Sequence, residues 1–315
     1  MEPVSIVIPA WEDQGLFERN LPALLAEVER RDARDEVVVV DDSGKDLLRT
    51  WFASRYPSVR GVVHRTSRGQ GIALLSGARA AKHDLVLCLD ARMRVQEGFL
   101  DPLTLAMRDE RTLAASARVV QPDGAVPSRI SALLPPIELD ADLAAEVAAD
   151  LGAGLRPILC VEGRACLVRK APFSDGDWFG SMYAPRHWEP LDMSLGAWRR
   201  GLRIVEAGES VVEHPGGRSD PLVPDEELSA ASKNRALALW KHLDEPDLAA
   251  RHVAELWERV LDPSADGWLG ELRWLRLALD HLSDLAEARG RFTGAQRGVG
   301  KILRTCTACT RGSSA

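Results

Sequence analysis

The sequence predicts an α/β fold, a mostly parallel sheet flanked by helices, with an all-helical extension at the C-terminal end. Three observations predict it. Apolar runs that read as strands alternate with segments of helical spacing from Val4 to Leu89. Two of those runs end abruptly in acids, at Asp41-Asp42 and at Asp90. From Asp225 onward, leucines and tryptophans recur at helical spacing instead.

Val4–Ile8 (VSIVI) is a short β-branched strand that Pro9 is expected to stop. Phe17, Leu21, Leu24, Leu25 and Val28 share one helical face, with Pro22 a candidate kink. Glu36–Val40 is a second strand, leading into Asp41-Asp42-Ser43-Gly44. Leu47, Leu48, Trp51 and Phe52 suggest a short helix, and Val59–Val63 a third strand. Arg68-Gly69-Gln70-Gly71 opens a helix carrying Ile72, Leu75, Ala78 and Ala81 on one side. Leu85–Leu89 (LVLCL) follows, an unbroken apolar run of the kind buried on both faces of a sheet. Ligands of open parallel sheets lie beyond the carboxyl ends of the strands, so Asp90 stands where a ligand group would be met. The plain alternative is a turn aspartate.

Beyond Asp90, Phe99–Met107 reads as a helix and Leu113–Val120 as a strand closed by Pro122-Asp123-Gly124. Residues 125–137 read as loop, and Leu139, Leu143 and Val147 as a short helix. Ile158–Val161 and Ala165–Val168 read as strands around Glu162-Gly163-Arg164. Residues 171–188 are irregular and rich in Gly, Pro, Asp and aromatics, as binding loops or lids are. A helix over Glu189–Arg200, a strand over Leu202–Val205 and the run Val211 to Gly217 complete a domain spanning residues 1–222. Residues 223–315 form the extension, with two to four helices. Trp240, Trp257, Trp268 and Trp274 lie among leucines and suit packing on the core or, in a homodimer, on a second subunit.

A chain of 315 residues with a formal charge of -7 is not built as a nucleic-acid binder. No apolar run approaches a membrane span, and the start lacks a basic leader before an apolar stretch. The expectation is a soluble, cytoplasmic protein. The end of the chain carries Arg289, Arg291, Arg297, Lys301, Arg304 and Arg311 and no acid after Glu287. With Ile302 and Leu303 between Lys301 and Arg304, it is a candidate for peripheral contact with the anionic inner face of a membrane. Cys88, Cys160 and Cys166 lie in apolar runs and suit packing as small hydrophobes. Cys306 and Cys309 form one CxxC without the two further ligands a zinc site needs.

SIVIPAWE, VVVVDDSG, RGQGIALLSGARAA and LVLCLDARM, in that order, followed by Trp188–Gly201 and His214, resemble the nucleotide-sugar domain of family 2 glycosyltransferases, whose fold is GT-A (Rossmann-like). The resemblance covers residues 3–218 and leaves the extension out. It implies that Pro9, Ala10 and Glu12 line the nucleotide pocket and that Asp42 accepts from a base N–H of uracil or thymine. Asp41 is then left as a turn or helix cap. The loop with Arg68 and Gly69 implies close backbone approach to the nucleotide, and its helix N-terminus suits phosphate. It lacks the third glycine and downstream acid of a dinucleotide fingerprint, which disfavours a Rossmann dehydrogenase.

Two departures from the family pattern stand out. The acidic motif, usually Asp, any residue, Asp, reads Asp90-Ala91-Arg92. Asp90 keeps the ribose position, while the position that holds a divalent cation is a guanidinium. A Mg or Mn ion would fall to Asp90 and His214, against repulsion from Arg92. Arg92 could instead neutralise a diphosphate directly. The base motif, usually Glu-Asp, reads Glu189-Pro190-Leu191-Asp192, with Pro190 where the base is expected. Glu189 and Asp192 are both candidate bases, and a purely helix-capping role for both is a third reading. Asp175 and Asp177 are nearby substitutes, and Arg218 a second phosphate contact beside His214.

The resemblance implies an inverting hexosyltransferase that moves a sugar from a UDP- or dTDP-sugar to a hydroxyl of a glycan, a lipid-linked or a small-molecule acceptor. A GT-A-fold protein that binds nucleotide-sugar without transferring it is the alternative. A sugar-phosphate nucleotidyltransferase would want a Gly-rich basic loop after the first strand, which Pro9-Ala10-Trp11-Glu12-Asp13 does not supply.

Overall fold

The first four strands owe their form to β-branched and leucine runs that are apolar on both faces, which only a covered sheet can bury. In the computed structural model, which describes residues 1–122, 124, 137–175, 181–184, 188–215, 224–262, 268–291 and 295–305, they are β1 (Val4–Ala10), β2 (Glu36–Asp41), β3 (Val59–Val63) and β4 (Leu85–Leu89). Between them run α1 (Gln14–Arg31), α2 (Leu47–Arg55) and α3 (Gln70–Ala80). There follow β5 (Arg94–Val95), α4 (Leu100–Ala106), β6 (Thr112–Val120), β7 (Ile137–Leu139), α5 (Ala141–Ala148), β8 (Leu155–Pro157), β9 (Ala165–Arg169) and α6 (Lys170–Asp175). After these come α7 (Glu189–Arg199), β10 (Arg203–Glu213), α8 (Pro224–His242), α9 (Pro246–Leu261), α10 (Trp268–Leu279), α11 (Leu282–Arg291) and β11 (Leu303–Thr305).

The main sheet runs β3-β2-β1-β4-β9-β6-β10-β5, with β8 beside β10. β3, β2, β1 and β4 are mutually parallel, β9 is antiparallel to β4 and β6, and β10 is parallel to β6. Alternate residues bury against opposite layers: Val37 and Val39 on the face of Phe17 and Phe52, Val38 and Val40 on the face of α3. Gly77 lets α3 close on the sheet, because a Cβ there would lie 2.3 Å from Val7 Cγ1.

The extension shares a core with the sheet domain. Leu237 and Ala238 of α8, Trp274 of α10 and Leu285 of α11 bury in one cluster with Leu191, Leu195 and Trp198 of α7. Fully burying a side chain such as Leu191, Leu195 or Leu237 is worth about 1.5–3 kcal/mol. A buried ion pair at the same seam does little better than break even against apolar packing. Apolar burial therefore holds the extension on, and polar contacts choose its register.

Several expectations need correction. Pro9 does not stop β1, which continues to Ala10. The ladder to β4 ends at Val7, so Pro9 has only β2 beside it and its missing donor costs little. Pro22 lies within an uninterrupted α1. Leu139 is in β7, not in the helix, and Asp140 caps α5 by accepting from Asp142 N and Leu143 N. Ile158–Val161 is not a strand; the strand falls earlier, at β8, pairing with β10. The two expected strands near residues 202 and 211 are one, β10, with an irregular register between Ala207 and Val211.

The extension has four helices among the described residues, and it also returns a strand, β11, which pairs with β7. Ile302 is completely buried in the core cluster, so it is not presented to a membrane surface. Trp257 is 57% exposed, with Val253 and Leu261 exposed one turn to either side, whereas Trp274 is buried as expected. Cys88 and Cys166 are buried opposite each other across β4 and β9, and this contact with burial pushes the Cys166 thiol up. Residues 125–136, Asp177, Arg218, Cys306 and Cys309 lie outside the described residues. No helix among the described residues is long and apolar enough to cross a membrane.

Candidate functional site

Parallel strands deliver their C-terminal ends to one edge of a sheet, and antiparallel β9 brings its start to the same edge. That edge collects Ala10, Asp42, Asp90, the Glu162–Arg164 turn before β9, and His214 after β10. Asp90 N donates to Arg164 O at 2.9 Å, and His214 N to Val120 O at 2.8 Å, which fixes both ends of the row.

Two acid-x-Arg turns dominate the row. Arg92 grips Asp90 with both fork arms, Nε to Oδ1 at 3.0 Å and Nη2 to Oδ2 at 2.7 Å, and Arg92 N adds 2.9 Å to Oδ1. Arg164 grips Glu162 the same way, at 2.8 and 2.9 Å. Burial pushes the Asp90 carboxyl up, but the Arg92 guanidinium, with a smaller contribution from His214, outweighs it and holds the acid below 3.8. Burial and then the positive charges of Arg164 and Arg92 push His214 below 6.5. Burial, with help from Asp90 and Asp41, pushes Asp13 up; its carboxylate accepts from Trp11 N at 2.8 Å.

Asp42 has a different set of partners from the expected nucleobase. Its carboxylate accepts from Ser67 Oγ at 3.1 Å, Arg68 N at 2.9 Å and Gly69 N at 2.9 Å. His64 Nδ1 lies 2.6 Å from Oδ1, and since a carboxylate only accepts, that nitrogen carries the proton. A carboxylate offers about four lone-pair sites, and these four donors fill them. Asp42 thus folds the Arg68–Gly69 loop back on itself. Asp41 behaves as a cap, accepting from Ser43 N and Leu48 N. Pro9 and Ala10 end β1 at the edge, Ala10 buried, while Glu12 pairs with Lys45 at the surface.

The family's divalent cation does not fit the residues present. Both Asp90 oxygens are taken by a guanidinium, and the charges of Arg164 and Arg92 act on His214 against those of Asp90 and Glu162. No group of three His, Cys, Asp or Glu among the described residues is arranged to hold an ion. Asp90 and His214, the expected metal pair, have no third His, Cys, Asp or Glu arranged with them among the described residues, and Asp90 is held by Arg92.

On the other side of the edge, α7 starts at Glu189 after Trp188 in the left-handed region (φ 71). Pro190 packs on Gly163, whose Cβ would lie 2.4 Å from Pro190 Cγ. Proline suits a first helical turn, and this contact docks α7 onto the turn that carries Arg164. Glu189 is buried, and its charge acts on Lys233 of α8 and on the Tyr183 hydroxyl. Asp192 is 0% exposed, with Oδ2 2.8 Å from Lys241 Nζ and Oδ1 2.6 Å from His242 Nε2. A general base must reach its substrate proton, and this carboxylate is closed off by the extension. Of the two candidate bases, Asp192 is corrected to an anchor for α8. The side chain of Asp175 lies outside the described residues.

Residues 5–146 match the model of glycosyl transferase family 2. The match ends at residue 146 and leaves the rest of the chain uncovered. The undecaprenyl-phosphate 4-deoxy-4-formamido-L-arabinose transferase of Aeromonas hydrophila is 34% identical over 99 residues, 29% of this chain and 29% of that protein. The dolichol-phosphate mannosyltransferase of Mycosarcoma maydis is 26% identical over 121 residues, 36% of this chain and 41% of that protein. The chain thus matches well under half the length of these curated relatives. Among solved structures, GalNAc-T7 with UDP, GalNAc and Mn2+ has a TM-score of 0.64 at 16% identity, covering 89% of this chain and 55% of that one. TarS 1-349 of S. aureus in complex with UDP has a TM-score of 0.54 at 16% identity, covering 93% and 80%. At such identities the likeness bears on the fold alone, which is GT-A in both domains of comparison.

Sequence reasoning singled out Asp90, Arg92, His214 and Glu189 of this arrangement but not Glu162, Arg164, Asp13, Lys233, Lys241 or His242. Arg164 had a signal: Glu162-Gly163-Arg164 repeats the acid, small residue, arginine order of Asp90-Ala91-Arg92. Asp109-Glu110-Arg111 forms the same local pairing away from the edge, so position in the sheet, not the triplet, marks the site.

Proposed function

We propose that the chain transfers a sugar, with inversion, from a UDP- or dTDP-sugar to an acceptor hydroxyl. The observation that carries this reading is the row Asp90, Arg92, Arg164 and His214 at the strand ends of a family 2 domain. The nucleotide lies over Pro9, Ala10 and Glu12, with Asp90 toward the ribose and Arg68 and Gly69 along the nucleotide. Arg92 and Arg164 are preorganised by their own carboxylates and meet the diphosphate as fixed positive groups. Leaving-group charge is then stabilised by side chains already in place. Glu189, at the start of α7, takes the proton of the acceptor hydroxyl.

A second reading is favoured by Pro190 in the base position and by Asp192 closed beneath α8. An acceptor phosphate is already an anion and needs no base. The relatives above are named for lipid-phosphate acceptors, as is the dolichyl-phosphate beta-glucosyltransferase of Trichomonas vaginalis, 28% identical over 96 residues. An acceptor panel of alcohols and polyprenyl phosphates separates the two, because Glu189→Gln stops transfer only to a hydroxyl. A thermal-shift panel of nucleotide-sugars tests the donor side: stabilisation by a UDP- or dTDP-sugar with slow release of the nucleotide supports transfer. Stabilisation without any turnover supports the binding-only alternative.

A further inference from the structure

Lys233 and Asn234 lie on α8, in the part of the chain the family match does not reach. Their side chains cross to the short helical turn Ser181–Tyr183, which precedes α7. Lys233 Nζ donates to Met182 O at 2.5 Å and Ala184 O at 3.1 Å, and Asn234 Nδ2 donates to Tyr183 O at 2.6 Å. Three successive backbone carbonyls are thus held from one helix turn. Two turns further along α8, Lys241 and His242 hold Asp192. Spacings of seven to eight residues return to the same helical face, so one face of α8 grips both ends of the segment that carries Glu189.

A buried ammonium is a costly way to satisfy carbonyls that turn chemistry or water could serve. Lys233 has in addition a charged neighbour across the seam, the Glu189 carboxylate of α7. Burial pushes its amine down to about 8, with the Glu189 charge acting in the other direction, and the amine itself is directed at the Met182 and Ala184 carbonyls.

We propose that Lys233 is a positioning residue: it fixes the Met182–Ala184 segment that precedes α7, and through it the Glu189 end of that helix, on the acceptor side of the cleft, making the extension part of the transferase site. This rests on the reading of Glu189 as the acceptor-side base. The extension then does more than cover the sheet, and the acceptor half of the site is assembled from two regions of the chain.

The test compares the full-length wild type with Lys233→Met and Lys233→Arg, following donor KM, kcat and melting temperature. A misplacement of about 1 Å in a catalytic group can cost on the order of a hundredfold in rate, so Lys233→Met should lose about tenfold to a hundredfold in kcat with donor KM unchanged. Lys233→Arg keeps a cation and two donors at the carbonyls and should restore most of that rate. Loss of kcat and donor binding in parallel with a fall in melting temperature, for both variants alike, overturns the positioning role in favour of folding alone. Wild-type kinetics in Lys233→Met overturn it as well, with the transferase reading intact. Wild-type protein that turns over no nucleotide-sugar at all overturns the transferase reading first, and this inference with it.

Discussion

The sheet edge and the α7–α8 seam both place charged groups against one another, and they do so in opposite ways. At the edge each carboxylate is paired with an arginine two residues away, Asp90 with Arg92 and Glu162 with Arg164, and the pairs stand in a half-open row. At the seam Asp192 is paired with Lys241 and His242, 49 and 50 residues away, and all three are buried. A local pair forms whatever the rest of the chain does, so it can be left at a cleft to meet a ligand. A distant buried pair forms only when two regions have docked, so it reports on docking. In the proposed transfer, the edge meets the charged donor and the seam holds the acceptor side in register.

The largest effects are expected from two acids of α7, Glu189 as the proposed base and Asp192 as the buried anchor of the seam. Glu189→Gln should lower transfer to a hydroxyl acceptor by about 10²–10⁴-fold with a smaller effect on stability, as read from initial rates and thermal unfolding. Asp192→Ala should do the reverse. Leaving Lys241 and His242 without their buried partner should cost about 3–5 kcal/mol in a urea titration. An Asp192→Ala protein as stable as wild type would mean that the seam is not docked as described.

The donor side comes next in size. Hydrogen bonds to charged groups are worth about 1.5–3 kcal/mol, so Arg92→Ala should raise donor KM roughly tenfold to a hundredfold. Arg92→Asp replaces the guanidinium with a second carboxylate, and its donor binding should respond to Mn2+ where wild type does not. Gly163→Ala should cost about 1–3 kcal/mol by overpacking against the Pro190 ring, measured by chemical denaturation.

The smallest effect is on pH. His214 and His242 are held below 6.5 in the folded chain, chiefly by burial. The unfolded chain therefore binds more protons just below that value, and stability should fall as pH drops through it. Asp90, held below 3.8, adds stability above that value that is lost only in stronger acid. Unfolding free energies that do not change between neutral pH and the acid side of 6.5 would contradict the described burial of the histidines.

How far these features could be read from the sequence follows the same division. The βαβ order, Leu85–Leu89 and the placement of Asp90 were legible because strand pattern and strand ends are local signals. The meaning of Asp42 was not, because its partners His64, Ser67, Arg68 and Gly69 come from a loop more than twenty residues on. The merging of two expected strands into β10 was hidden because an irregular register interrupts the alternation between Ala207 and Val211. Asp192 looked like a cleft acid because it lies one turn from Glu189; only the fold of α8 over it shows otherwise. Lys233 and Asn234 carried no signal, since a lysine in a helix ordinarily reads as solvent-facing.

We propose that Arg92 and Arg164, held by Asp90 and Glu162, meet the donor diphosphate without a divalent ion. Donor turnover after EDTA treatment, repeated with Mn2+ or Mg2+ restored, tests it most directly. One rate is expected under both conditions. A rate abolished by EDTA and recovered with the ion bound at Asp90 would contradict it.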